Sequence, residues 1–118
     1  MAVKSDIILE ALKASLGIPL DVSNFDEEII MNANAAFSTL RQLGVGPKEG
    51  FRVSDGSETW SSLELDKPQE SAARDYIYLK TKLQFDPPSN GFLVTPIQDQ
   101  IKELEFRMNL DAEGAFDD

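Results

Sequence analysis

The chain has 118 residues, 42% of them hydrophobic, which is enough for one small folded domain. It contains no cysteine and no histidine, so disulfides, Cys or His zinc sites, Ser–His–Asp triads and Cys–His dyads are excluded. Its 21 acidic and 11 basic residues give a net charge of −10, which repels nucleic-acid phosphates and anionic lipids. Composition therefore disfavours a DNA-reading protein, a membrane-surface protein and most hydrolases, and favours a scaffold or interaction module.

No targeting or membrane segment is expected. Charged residues, among them Lys4 and Asp6, interrupt the first twenty residues, so these do not form the apolar core of a signal peptide. No run approaches the 18 apolar residues that a membrane-spanning helix requires. The sequence therefore predicts no membrane partner.

The first predicted helix spans about residues 5–16, where apolar residues recur at helical spacing and form one stripe. Gly17 can adopt the left-handed conformation that ends a helix, and Pro19 prevents its continuation. The pattern indicates a short amphipathic helix followed by a loop.

The second predicted helix begins at a cap formed by Ser23 or Asn24. Three acidic residues at positions 26–28 favour the positive end of a helix at this point. Gly44 ends the helix, and a Gly-Pro pair follows it. The predicted buried stripe consists of Phe25, Ile29, Ala33, Phe37 and Leu40.

Residues 45–68 are predicted to be a long ordered loop or a short β-hairpin arm. Phe51 and Val53 alternate with a polar residue as in a short strand, and an Asp-Gly turn signal follows. Trp60 must bury its large side chain, either in the core of this chain or against a neighbour. A loop this long usually serves an interaction, so these three apolar residues are our candidate contacts with another subunit or partner.

The third predicted helix spans about residues 69–85, with Tyr76 and Lys80 on its apolar face. Lys80 must extend its stem from that face to bring its ammonium to water. Pro87 ends the helix because it biases Asp86 away from helical backbone angles.

The fourth predicted helix can begin in two ways. Thr95 can cap it with Pro96 at its first position, or residues 92–94 can extend it backwards and leave Pro96 inside a kinked helix. Both alternatives stay open at this point. With either start, Glu103 and Arg107 lie one helical turn apart and form a favourable ion pair.

The last part of the chain is acidic. Residues 92–118 hold seven acidic residues against two basic ones, which is half of the net charge. The segment at 111–118 contains no base, and we expect it to be a disordered tail.

The sequence thus predicts a mainly α protein: one small bundle of about four helices at residues 1–110, with the arm at 45–68.

Candidate metal and phosphate sites fail on their spacing. A calcium loop starting at Asp21 would need Gly at its sixth place and Glu at its twelfth, where the chain has Asp26 and Asn32. The glycine-rich segment 44–48 lacks the spacing of a phosphate loop. A carboxylate-bridged metal in a helix bundle would need histidines. We therefore expect no catalytic residues, no cofactor and no metal.

Several motifs together resemble one family. Residues 25–51 read FDEEIIMNANAAFSTLRQLGVGPKEGF, residues 76–92 read YIYLKTKLQFDPPSNGF and residues 101–109 read IKELEFRMN, with the lone Trp60 between the first two. From about residue 7 to 109 the chain resembles the small head–tail connector (adaptor) proteins of tailed bacteriophages with long non-contractile tails. The residues that carry this pattern are Phe25, Gly44, Gly46, Tyr76, Lys80, Phe85, Asp86, Pro87, Pro88, Leu104 and Phe106.

The resemblance implies a mainly helical structural protein without catalytic residues. Such proteins assemble in the bacterial cytoplasm into a ring, expected to be twelve-fold, below the portal of the filled head. The ring extends the DNA channel at the head–tail junction of the virion and presents a surface to the next head-completion or tail-terminator protein. DNA would pass without specific binding, which an acidic wall favours.

The residues alone allow two other function classes. A small acidic inhibitor that mimics nucleic acid would suit the charge and size, although Lys and Arg lie between the dispersed acids. An enzyme using carboxylates and Mg²⁺ has no specific feature in its favour. The first of these is the alternative to a virion role.

Overall fold

The computed structural model describes residues 6–112, which form four helices joined by loops. The helices are α1 (Ile8–Leu16), α2 (Asp26–Gln42), α3 (Lys67–Phe85) and α4 (Gly91–Ala112), with a 3-10 turn at Trp60–Leu63. Within the described residues no strand is present beyond an isolated antiparallel bridge between Ile7 and Thr59. The predicted mainly α bundle of about four helices is confirmed.

The central helix of the bundle is α3, which packs against α1, α2 and α4. The ring of Phe25, just before α2, meets the ring of Phe85 at the end of α3 edge-to-face at 5.6 Å. At the opposite end, Gln69 near the start of α3 donates a hydrogen bond of 2.7 Å to Asp111 near the end of α4. The three long helices therefore run antiparallel in succession.

One hydrophobic core joins all four helices and the 3-10 turn. Burying each of its large side chains stabilises the fold by roughly 1.5–3 kcal/mol. Its largest buried apolar and aromatic side chains are Ile8, Leu12, Ile29, Phe37, Leu40, Trp60, Tyr76, Ile77 and Met108.

Helix α1 begins later than predicted, because the residues before it pair with the long loop. The N–H of Trp60 donates to the carbonyl of Asp6 at 2.8 Å, and the N–H of Ile8 donates to the carbonyl of Glu58 at 3.0 Å. These bonds hold Ile7 in extended backbone, while residue 6 lies in a bend. The prediction of helix from residue 5 was therefore wrong at residues 6 and 7.

The predicted cap of α2 was also wrong. Phe25 occupies the cap position and makes no side-chain cap hydrogen bond. Instead, the N–H of Asp26 donates to the carbonyl of Ser23 at 3.2 Å, which closes a turn before the helix. The predicted end is confirmed: Gly44, with φ of 87°, turns the chain in the left-handed region and α2 stops at Gln42.

The segment between α2 and α3 is an irregular loop with the 3-10 turn, and the hairpin alternative is not confirmed. The backbone N–H and carbonyl of Val53 are paired as those of a strand residue are, but the partner is a side chain. The N–H of Val53 donates to Oδ1 of Asn34 at 2.7 Å, and Nδ2 of Asn34 donates to the carbonyl of Val53 at 3.0 Å. A side chain of α2 therefore makes the two backbone hydrogen bonds that a second strand would make in a hairpin.

Helix α3 begins two residues earlier than predicted. The carboxylate of Asp66 accepts the N–H of Gln69 at 2.9 Å, which is a side-chain cap, and Pro68 lies in the first turn. The predicted end at Phe85 is confirmed, and Asp86 leaves helical geometry with φ of −143°.

Helix α4 follows the second of the two predicted alternatives. It begins at Gly91 and contains Pro96, while the Oδ1 of Asn90 accepts the N–H of Phe92 at 2.9 Å before it. The alternative start at Thr95 is thus excluded. At its other end α4 continues to Ala112, so the first two residues of the predicted tail are helical. The remaining tail residues, 113–118, lie outside the described residues, as do residues 1–5.

None of the helices among residues 6–112 combines the length and the apolar character that crossing a membrane demands.

Candidate interaction surfaces

Trp60 lies in the core of this chain, where only 1% of it is exposed. Its ring packs at 6.2 Å from the ring of Phe37, and the guanidinium of Arg74 lies 5.3 Å from the indole centroid. Arg74 also forms ion pairs with two carboxylates: its Nη2 lies 3.0 Å from Glu70 and 3.4 Å from Asp6. The indole therefore packs the long loop against α2 and α3. A role of Trp60 in contacts between subunits stays a prediction.

The other two predicted contact residues lie on the same loop. Val53 is buried, with its backbone held by Asn34. Phe51 is partly buried and packs edge-on against Phe37 with ring centroids 5.0 Å apart. The structure thus brings Phe51 and Trp60 to the same core residue, and both stay predictions as partner contacts.

Tyr76 and Lys80, from the family pattern, lie together on α3. The hydroxyl of buried Tyr76 donates a 2.6 Å hydrogen bond to Oε2 of Glu105 on α4. Burial, and then this hydrogen bond, raise the pKa of Tyr76 well above its ordinary value of 10.0. The ammonium of Lys80 lies 5.9 Å from the Tyr76 ring centroid, so its stem covers the aromatic face.

The other pattern residues are spread over the molecule. Phe25 and Phe85 meet each other, as described above, and the segment 86–88 links α3 to α4. Gly46 has φ of 92°, and Leu104 is partly buried against the core. Phe106 does not join any of these contacts, because 64% of it is exposed.

A buried lysine near the α1–α2 loop was not predicted. Lys13 is almost fully buried, and its ammonium lies 2.9 Å from Oδ1 of Asp26 and donates to the carbonyl of Leu20 at 3.1 Å. Its place beside Leu12 on the apolar side of α1 could have indicated the burial of Lys13. Its ion-pair partner, Asp26, lies thirteen residues away in the chain. This ion pair connects α1 to the start of α2.

The described residues contain no group of three or more acidic side chains able to hold a metal ion. Their ion pairs include the one predicted on α4, between Glu103 and Arg107 at 3.3 Å. The surface also carries large exposed apolar side chains. Phe92 and Leu93 at the start of α4 are 88% and 55% exposed, and Met31 on α2 is 65% exposed.

The family model of the phage connector protein matches residues 8–115, a stretch that includes all four helices. The chain belongs to the phage connector family. The resemblance to head–tail connectors is thereby confirmed, and the chain is a structural connector protein of a bacteriophage. No curated protein and no solved structure matches the chain significantly.

A structural connector acts through the surfaces that it presents to neighbours. In this connector the long loop is held inward by Trp60 and Val53. The most exposed apolar side chains lie elsewhere, on α2 (Met31) and on α4 (Phe92, Leu93 and Phe106). Those two helices therefore offer the candidate contact surfaces.

Proposed function

We propose that this connector assembles as a twelve-fold ring below the portal of the filled head, extends the DNA channel and joins the head to the tail. The observation that carries the proposal is the family match over residues 8–115. Its partners are other copies of itself, the portal above and the next head-completion or tail-terminator protein below. The place of action is the head–tail junction of the virion.

Two physical features support this proposal. The described chain closes its own core around Trp60 and Tyr76, so a subunit can fold before it docks. The net charge of −10 lets DNA move past the ring, because a basic wall would bind the polyanion.

The structure offers less support for a nucleic-acid mimic. Such an inhibitor needs carboxylates free to imitate a row of phosphates. Here Asp26 is paired with Lys13, and Glu70 is paired with Arg74.

The proposal is tested by mixing the purified protein with purified portal and examining the mixture by size-exclusion chromatography and electron microscopy. We expect a ring of connector subunits on the portal, with the symmetry of the portal. Connector that elutes separately from the portal and forms no ring on it would contradict the proposal.

A further inference from the structure

Basic side chains gather at the end of α2. Two adjoining concavities open there, and Arg41 lines both of them, with Lys48 in one and Arg52 in the other. All three side chains are exposed, and none forms an ion pair with another described residue. Among the described residues that line the concavities, Glu49 is the single acidic one. We call the two concavities together the basic cleft.

The loop after α2 fixes Arg41 at the basic cleft. The Nε of Arg41 donates a hydrogen bond of 2.9 Å to the carbonyl of Lys48. Gly50 lets the stem of Arg41 pass, since a Cβ at this position would lie 3.1 Å from the Cδ of Arg41. The hydrogen bond uses Nε, so the two Nη groups of the guanidinium can bind a carboxylate.

Helix α4 ends beside the basic cleft. Gly44 lines the cleft, and a Cβ at Gly44 would lie 3.3 Å from the Cβ of Ala112, the last described residue. The Nδ2 of Asn109 donates to the carbonyl of Leu43 at 3.2 Å, which holds the end of α4 against the end of α2. The six residues after Ala112 therefore start next to the cleft. Fully extended they span about 20 Å, twice the diameter of an α-helix, so they can lie along both concavities.

The segment after α4 has the charge that complements the basic cleft. Residues 113–118 read EGAFDD, with three acidic residues and no base. Most of a chain with a net charge of −10 repels such a segment, whereas the cleft attracts it. Because the segment is tethered at Ala112, its effective concentration at the cleft is roughly millimolar, which favours it over the same segment of a second copy.

We propose that residues 113–118, expected from the sequence alone to be a disordered tail, bind in the basic cleft of their own chain. Their carboxylates pair there with Arg41, Lys48 and Arg52, and the bound segment neutralises the cleft. As DNA passes the proposed ring, an open basic cleft would bind its phosphates. The docking itself goes beyond the proposed ring and does not depend on it.

Chemical cross-linking tests the contact, since exposed ion pairs change the free energy of unfolding too little to report it. A carbodiimide joins a lysine amine directly to a carboxylate beside it. In the wild-type chain, mass spectrometry should find Lys48 joined to Asp117 or Asp118 several times more often than the exposed Lys102 of α4. Mixing isotope-labelled with unlabelled protein shows whether each link lies within one chain. Links from the exposed Lys67 in place of Lys48, links only between chains, or equal yields from Lys48 and Lys102 would overturn the inference.

A variant with a neutral tail gives a second readout on the isolated chain. The tail variant carries Glu113→Gln, Asp117→Asn and Asp118→Asn. Its matched control neutralises three exposed acidic residues near the start of α2, through Asp21→Asn, Glu27→Gln and Glu28→Gln. Each variant loses three negative charges, so the two differ only in where the charge is removed.

The backbone amide signals of Gly46 and Gly50 in a nuclear magnetic resonance spectrum report on the basic cleft, because both glycines line it. These signals should shift in the tail variant and keep their wild-type positions in the control. The signal of Gly17, at the end of α1, should stay in place in the tail variant. Unshifted signals of Gly46 and Gly50 in the tail variant would overturn the inference.

Binding of a short DNA duplex tests the consequence of the docking. At low salt the tail variant should bind the duplex roughly tenfold more tightly than the control, because only the tail variant opens the basic cleft. Fluorescence anisotropy of a labelled duplex measures both affinities, and equal values would overturn the inference. None of these experiments uses the portal, so their failure leaves the proposed ring intact, and failure of the ring leaves the docking intact.

Discussion

The side chain of Asn34 pairs with the backbone of Val53 as a neighbouring strand would. Its Oδ1 accepts the Val53 N–H at 2.7 Å, and its Nδ2 donates to the Val53 carbonyl at 3.0 Å. Both groups are buried, so one residue of α2 satisfies two backbone groups of the long loop. This pairing keeps the loop on the bundle.

Asn34→Ala should lower the free energy of unfolding by about 2–4 kcal/mol, because it leaves the buried N–H and carbonyl of Val53 without partners. Chemical denaturation monitored by circular dichroism measures the change. Asn32→Ala, two residues away on the same helix, should change stability by about 0.5 kcal/mol or less. Equal effects of the two variants would show that the pairing contributes no special stability.

Trp60→Ala should destabilise the isolated chain by about 3–5 kcal/mol, since it opens a cavity in the core. Trp60→Phe should cost less, because the indole N–H makes no hydrogen bond within the described residues. Thermal melts of both variants test this. A Trp60→Ala chain that melts like the wild type but forms no ring would instead place the indole in a subunit contact.

Lys13→Ala should lower stability by about 1–3 kcal/mol, because the carbonyl of Leu20 loses its donor and Asp26 loses its counter-ion. The control is Lys48→Ala, which removes an exposed lysine and should leave the unfolding midpoint unchanged. Urea titrations of the two variants compare them, and similar midpoints would contradict a role for the buried ion pair.

Stability should fall as the pH rises above about 10, because the pKa of Tyr76 is raised in the folded chain. Folding favours the neutral phenol of Tyr76. Its contribution to stability is therefore complete below the pKa of tyrosine in the unfolded chain, and it is lost as the pH rises from that value to the higher pKa of the folded chain. Tyr76→Phe should remove this part of the pH dependence, and Tyr78→Phe should keep it. Denaturation at a series of alkaline pH values is the measurement, and identical profiles for the two variants would contradict it.

The helices could be predicted from the sequence because their signals are local. The apolar stripe of α2 and the stop at Gly44 depend on neighbouring residues alone, although Phe25, predicted as part of the buried stripe, is 44% exposed. Pro96 left two starts open for α4, since proline fits both the first turn of a helix and a kink within one.

What the sequence did not predict depends on partners distant in the chain. The alternation at Phe51 and Val53 is typical of a strand, but Asn34 supplies the pairing from nineteen residues away. The burial of Lys13 likewise depends on how α1 meets the start of α2. Apolar residues at helical spacing predict burial. The exposure of Phe92 depends instead on how the helices pack, which the local sequence does not indicate.

The most direct test of the connector ring is an electron cryomicroscopy map of the protein bound to its portal. We expect twelve copies in a closed ring around the channel. Single connector subunits bound separately to the portal, without contact between neighbours, would contradict the proposed ring.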